Sequence, residues 1–202
     1  MKKILYIGDS HIIHCFSTIL NNSWYLVDVT LNKIRIFDSD LKVKHIEYRE
    51  DDLSECYSLD IDGENISDLI NNLNYESVLF SIGEIDVRYH LIKQLELNEN
   101  AIDDILIIYN NFLKKIKSKI IICSIIPPGI DNTNEYTRNI EKRSHITIEI
   151  NNKLKDMCSL NGYYFFDLYS DFNTNGILDF NKSDEGVHIN KRFKDKIISN
   201  LI

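Results

Sequence analysis

Four short runs of apolar residues, three of which stop at glycine or proline, constrain the fold of this chain most strongly. They span residues 3–7, 77–82, 119–126 and 163–168. Runs without a regular alternation of apolar and polar residues are typical of strands buried on both faces. Strands of that kind occur in parallel sheets that carry helices on both sides. The sequence therefore predicts an α/β protein built on a central sheet.

Segments with apolar residues at helical spacing lie between these runs. They cover residues 10–20, 66–73, 101–116, 134–160 and 191–201. Residues 24–30 and 33–37 are predicted as further strands, whereas the highly charged residues 40–59 lack a period and are expected to be irregular. The alternation of strands and helices predicts a single domain over residues 1–202. Its expected architecture is a three-layer α/β/α structure with a parallel, flavodoxin-like doubly wound sheet.

Composition narrows the range of partners. The 202 residues carry a formal net charge of -8, and 44% of them are hydrophobic. Phosphates and anionic membrane surfaces repel such a protein, so neither nucleic acid nor a membrane is expected as a partner. No apolar run approaches the roughly 20 residues that cross a bilayer, and the four scattered cysteines form no C-x-x-C pair. We therefore expect a cytoplasmic protein with buried, reduced thiols.

Three polar clusters lie at or near the ends of predicted strands, where doubly wound sheets collect their functional groups. They are G-D-S-H at 8–11, G-E-I-D-V-R at 83–88 and D-E-G-V-H at 184–188. A serine hydroxyl becomes nucleophilic when a base removes its proton, and imidazole titrates near neutral pH. Ser10 and His188 are therefore candidates for nucleophile and base. The alternatives are a helix N-cap for Ser10 and a surface position for His188.

These clusters resemble the sequence blocks of the SGNH/GDSL hydrolases. The G-D-S block contains Ser10, Gly63 followed by I-S-D-L resembles the glycine block, and residues 83–86 resemble the G-x-N-D block. The final D-x-x-H block before the last helix is matched closely by G-V-H-I-N at 186–190. The blocks occur in the family's order over almost the whole chain. The resemblance implies the SGNH fold and acyl-ester chemistry without a cofactor, in which Ser10 attacks a carbonyl and His188 carries the proton.

The acid of the implied catalytic triad has two candidates. The family places an aspartate three residues before the histidine, and Glu185 occupies that position here. Asp184 lies one residue further away, and either carboxylate could orient the imidazole and stabilise its charged form. The family spacing favours Glu185 and leaves Asp184 open.

The implied oxyanion hole departs from the family pattern at one position. Ile85 stands where the family's asparagine supplies a side-chain donor, and isoleucine has none. The hole would then depend on the backbone N–H groups of Ser10 and Gly63, or on a donor from another side chain.

Several charged residues near the clusters are candidates for that donor or for binding substrate. Arg88 and His11 carry suitable N–H groups, and we expect Arg88 to point toward the serine. The alternative for Arg88 is an ion pair with Glu84 or Asp86 on the same predicted loop. Asp86 and Asp9 are further candidates for substrate binding.

The combination of G-D-S-H with G-E-I-D-x-R resembles a subgroup associated with glycan and surface-polysaccharide loci. This resemblance implies a glycan or small-molecule ester as substrate, with an O-acetyl group on a sugar as the favoured target. Either water or a sugar hydroxyl could resolve the acyl-enzyme, and transfer would require an acetyl donor. The oligomeric state is not predicted.

Two other classes of function remain open at this stage. The replacement by Ile85 is compatible with a degenerate member that binds a glycan or nucleotide-sugar without catalysis. The D-x-H at 9–11 resembles the first motif of two-metal phosphoesterases, although the sequence lacks the G-N-H motif that such enzymes also need.

Overall fold

The computed structural model describes residues 4–8, 11, 15, 26–30, 33–37, 43–46, 60–61, 64–72, 74–130, 138–184 and 186–201. The strands in these ranges are β1 (Ile4–Gly8), β2 (Leu26–Thr30), β3 (Lys33–Phe37), β4 (Val43–Ile46), β5 (Asp60–Ile61), β6 (Glu64–Asn65), β7 (Ser77–Ser81), β8 (Lys119–Cys123), β9 (Tyr164–Phe166), β10 (Asn173–Thr174) and β11 (Ile177–Leu178). The α-helices are α1 (Ile66–Asn72), α2 (Ile92–Leu97), α3 (Ala101–Leu113), α4 (Ile140–Asn161), α5 (Tyr169–Phe172) and α6 (Lys194–Leu201). A π-helical segment, Asp86–Leu91, precedes α2, and 3₁₀ turns occupy Phe180–Lys182 and Lys191–Phe193.

The main sheet has seven strands in the order β4-β3-β2-β1-β7-β8-β9. Five neighbouring strands, from β2 to β9, pair in parallel. Numbered along the chain, these five follow the order 2-1-3-4-5 of flavodoxin-like folds, which confirms the predicted architecture. The strands β3 and β4 extend the β2 edge as antiparallel partners.

Alternating side chains of the parallel strands enter two different cores. On β1, Leu5 and Ile7 join one buried cluster, whereas Tyr6 joins the other. On β7, Val78 and Phe80 pack on the first face and Leu79 on the second. The first cluster is completed by side chains of α1, α2, α3 and α4, and the second by side chains of α5 and α6. Apolar runs are needed in these strands because both faces are covered.

Two segments differ from their prediction. The strand β4 lies inside residues 40–59, which were expected to be irregular, and among the described strands it pairs with β3 at the edge of the main sheet. Residues 83–88 were predicted as a loop, but the chain is helical from Glu84 onward. The predicted helix at residues 10–20 lies mostly outside the described residues. The strand at residues 33–37 has its predicted bounds, and the other predicted elements are present with shifted ends. The long helix, predicted to reach residue 160, ends at Asn161, and Gly162 follows in the left-handed conformation with φ of 72°.

The described cysteines agree with the expectation of buried thiols. Cys15, Cys123 and Cys158 are buried and form no disulfide, while Cys56 lies outside the described residues. Within the described ranges, the structure contains no helix with the length and apolar character needed to span a membrane.

Candidate active site

The carboxylate of Asp184 organises the turn that carries His188. One of its oxygens, Oδ2, lies 3.2 Å from Nδ1 of His188. The other oxygen, Oδ1, accepts hydrogen bonds from the backbone N–H groups of Gly186 and His188, each at 3.2 Å. A carboxylate facing Nδ1 favours the tautomer that carries its proton there, so that Nε2 can act as a base.

Residues on either side of this turn attach it to the core. Ser183 and Ile189 form an antiparallel bridge, and Ile189 is completely buried in the second apolar cluster. The N–H of Asn190 donates to the carbonyl of Lys182 at 2.8 Å. These contacts hold both ends of the segment that presents His188, whose imidazole is only partly buried.

His11 brings the end of β1 to the same turn. Its side chain is 2% exposed, and Nε2 lies 3.1 Å from the carbonyl oxygen of Val187, to which it donates. Its ring centroid lies 4.8 Å from that of His188, with the planes tilted by 44°. The first and last of the three polar clusters are therefore in contact at this sheet edge.

The second polar cluster follows β7, the strand next to β1. There Glu84 is 5% exposed and its two carboxylate oxygens face different arginines. Oε2 lies 3.2 Å from Nη2 of Arg88, and Oε1 lies 3.6 Å from Nη2 of Arg143. Asp86 is buried beside them on the π-helical segment. Charges removed from water need partners of opposite sign, which this cluster supplies.

Arg88 therefore forms the ion pair with Glu84 that the sequence analysis named as the alternative. Both residues lie on a helix, although a loop was expected. Its guanidinium also lies over the ring of Tyr89, 4.8 Å from the centroid. Four of the predicted site residues, Asp9, Ser10, Gly63 and Glu185, lie outside the described residues. The donation from Arg88 to an oxyanion near Ser10 therefore stays a prediction.

Arg143 and Gly129 were missed by the sequence reasoning. Arg143 donates from Nη1 to the carbonyl of Gly129 at 3.0 Å. A signal for Arg143 was present, because it lies three and seven residues before Ile146 and Ile150, on the buried stripe of α4. A charged residue on an apolar helix face is expected to have a specific partner. Gly129, in a P-P-G turn, gave no comparable signal.

Comparison with proteins of known structure identifies the fold. Neither a protein-family model nor a curated protein matches the sequence. A GDSL-like lipase from Bacteroides thetaiotaomicron VPI-5482 has a TM-score of 0.59 at 13% identity, over 100% of this chain and 89% of the other. The aryl esterase of M. smegmatis has a TM-score of 0.58 at 14% identity, with 100% and 96% covered. Est24, a carbohydrate acetylesterase from Sinorhizobium meliloti, has a TM-score of 0.54 at 12% identity, with both chains fully covered. The chain therefore has the SGNH-hydrolase fold.

Proposed function

We propose that this chain is a serine esterase or acyltransferase of the SGNH/GDSL superfamily. The observation that carries the proposal is the Asp184–His188 pair, which lies against His11 at the carboxyl end of β1. Ser10 immediately precedes His11 in the sequence. Nucleophilic serine catalysis needs a base that is oriented by a carboxylate and lies within reach of the serine hydroxyl. The contact between His188 and His11 supports such a position next to Ser10.

The reaction would proceed in two steps. Nε2 of His188 removes the proton from the Ser10 hydroxyl as its oxygen adds to the ester carbonyl, and Asp184 stabilises the imidazolium that forms. The tetrahedral intermediate collapses, the imidazolium returns the proton to the departing alkoxide, and an acyl-serine remains. His188 then removes a proton from water as its oxygen adds to the acyl carbon. Collapse breaks the bond to Ser10, returns the proton to the serine oxygen and releases the carboxylic acid. A sugar hydroxyl in place of water would make the reaction a transfer.

The proposed substrate is an O-acetyl group on a carbohydrate. Support comes from the motif combination of the subgroup and from the shared fold with a carbohydrate acetylesterase. The proposal includes a cytoplasmic location and a glycan or small-molecule ester as the partner. Asp184 takes the role of the acid in this proposal because it is the carboxylate in contact with His188.

The experiment is the release of acetate from acetylated oligosaccharides, compared with the hydrolysis of p-nitrophenyl esters of two to eight carbons. The purified wild type, Ser10→Ala, His188→Ala and the control Ser199→Ala would be assayed in parallel. We expect acetate release that depends on Ser10 and His188, that is unchanged in Ser199→Ala, and that favours the acetyl group. A preference for eight-carbon esters would contradict the proposed substrate. Activity that persists in both site variants would contradict the proposed mechanism.

A further inference from the structure

Arg143 is the largest side chain that the described structure buries completely, with 0% exposure. It lies in the first turn of α4, where its backbone N–H donates to the carbonyl of Asn139. Its guanidinium lies between Glu84 and the Gly129 carbonyl. A buried ion pair stabilises a fold little better than apolar residues of the same volume. Stability alone therefore gives little reason for an arginine at this position.

Gly129, whose carbonyl accepts from Arg143, packs against residues 186–188, which we call the histidine turn. A Cβ atom on Gly129 would lie 2.5 Å from the carbonyl oxygen of Gly186 and 2.5 Å from Cα of Val187. Both are backbone atoms of the two residues that precede His188, so they cannot move aside as a flexible side chain could. The neighbouring carbonyl of Pro128 accepts a hydrogen bond from the N–H of Leu178, which fixes the same segment from another direction.

We propose that Arg143 is a positioning residue for His188, an inference that rests on the proposed function of that histidine. Its guanidinium, oriented by Glu84, fixes the Gly129 peptide as a support for the backbone of residues 186–187. His11 contacts the same segment through the carbonyl of Val187. Both contacts add to the hydrogen bond between Gly186 and Asp184. A misplacement of about 1 Å in a catalytic group can cost on the order of 100-fold in rate.

The first test removes the guanidinium and then restores its charge. Arg143→Met should lower kcat about 10- to 100-fold and change KM less than about two-fold, because a side chain with 0% exposure has no surface for substrate to contact. Arg143→Lys keeps the charge opposite Glu84 and should recover part of the loss. In a His188→Ala background, Arg143→Met should cause no further loss, since its effect passes through that imidazole. Equal losses in both backgrounds would show a general structural role and overturn the inference.

The second test leaves every charge in place. Gly129→Ala should displace the histidine turn and lower kcat, whereas Gly162→Ala, which places its Cβ in open space, serves as the control. The control has a positive φ of 72° and should lower Tm without lowering kcat. This pair remains informative if Arg143→Met fails to fold. A kcat for Gly129→Ala equal to that of the control would contradict the inference.

A third readout does not depend on activity. The imidazole resonances and titration of His188, followed by NMR, should change in Gly129→Ala and Arg143→Lys and not in Gly162→Ala. Changed resonances in an enzyme without esterase activity would contradict the proposed function and leave the positioning role standing. Unchanged resonances in an active enzyme would contradict the positioning role alone.

Discussion

The two carboxylate oxygens of Asp184 have different partners. Oδ1 accepts from backbone N–H groups, and Oδ2 faces the imidazole of His188. Hydrogen bonds to an ionised carboxylate are about twice as strong as those between neutral groups. By accepting from the N–H groups of Gly186 and His188, Oδ1 closes the turn, and this closure aims Oδ2 at Nδ1 of His188. The turn and the orientation of the His188 imidazole therefore depend on the same side chain.

Asp184→Asn separates these two contributions. The amide oxygen can still accept from the backbone, but the amide nitrogen cannot accept the proton on Nδ1, so the wrong tautomer of His188 is favoured. We expect kcat to fall by about 10²- to 10⁴-fold with little change in Tm. The matched control is Glu185→Gln, which should retain near wild-type kcat on p-nitrophenyl acetate. The reverse pattern would make Glu185 the acid.

Removal of metal ions tests the serine mechanism against the two-metal phosphoesterase alternative. The serine mechanism uses no ion, so exhaustive dialysis against a chelator should leave the rate of ester hydrolysis unchanged within error. The control is wild type dialysed without the chelator. If activity disappears and returns only when a divalent metal is added, Asp9 and His11 become candidate ligands and the serine mechanism is wrong.

Spacing alone left two candidates for the acid that faces His188. The family pattern favoured Glu185, but the contact with His188 depends on how the turn closes around Asp184. That closure depends on two backbone hydrogen bonds and on the burial of Ile189, and neither can be read from a motif. The sequence could name Asp184 and His188 as candidates, whereas the contact between them depends on local geometry that spacing does not describe.

At the level of elements, Asn151 connects the end of β8 to α4. Its side-chain Oδ1 accepts from the N–H of Ile125 at 2.7 Å, and its Nδ2 donates to the carbonyl of the same residue at 2.8 Å. All three groups are buried, and each would cost about 1–3 kcal/mol if left without a partner. This pair of bonds fixes the segment that leads to the P-P-G turn.

Asn151→Leu should therefore lower the free energy of unfolding by about 2–4 kcal/mol, because it leaves two buried backbone groups unsatisfied. Urea denaturation followed by circular dichroism measures the change. Asn152→Leu is the control at the next, exposed position of the same helix and should shift stability by less than about 0.5 kcal/mol. Equal stability of the two variants would mean that the paired bonds contribute nothing.

The π-helical segment gives a prediction about pH. Burial lowers the pKa of His90 from its usual value of 6.5, so the folded state binds a proton at this site less readily than the unfolded chain. Stability linked to His90 is then present above about pH 6.5 and is lost as pH falls from there toward the folded-state pKa. In urea titrations, His90→Gln should be less sensitive than wild type to pH between 7 and 5. Identical pH profiles would contradict this assignment.

The helix that begins at Glu84 could not be predicted because it breaks the usual period. Val87, Leu91 and Ile92 are its buried apolar residues. Val87 and Leu91 are four residues apart, as on an α-helical face, but Val87 and Ile92 are five apart and enter the same buried cluster. A π-helical turn is wider than an α-helical turn, so this second spacing does not fit 3.6 residues. Regular elements such as α3 and α4 were predictable because their apolar residues follow one period over several turns.

At the scale of the whole molecule, the strand order explains how distant parts of the chain form one site. In doubly wound sheets, ligands bind beyond the carboxyl ends of the strands, where the direction of the crossovers reverses. Here that point lies between β1 and β7. His11 follows the first of these strands and the Glu84 cluster follows the second. The sequence could predict the class of sheet, but pairing between distant strands depends on contacts that no local period records.

The central claim, that His188 activates Ser10, is tested most directly by a fluorophosphonate probe with mass-spectrometric mapping of the modified peptide. We predict one label per chain, located on Ser10, and a labelling rate at least about 100-fold lower in His188→Ala. Ser199→Ala should label like wild type. The absence of labelling on Ser10, or an equal rate in wild type and His188→Ala, would contradict the account.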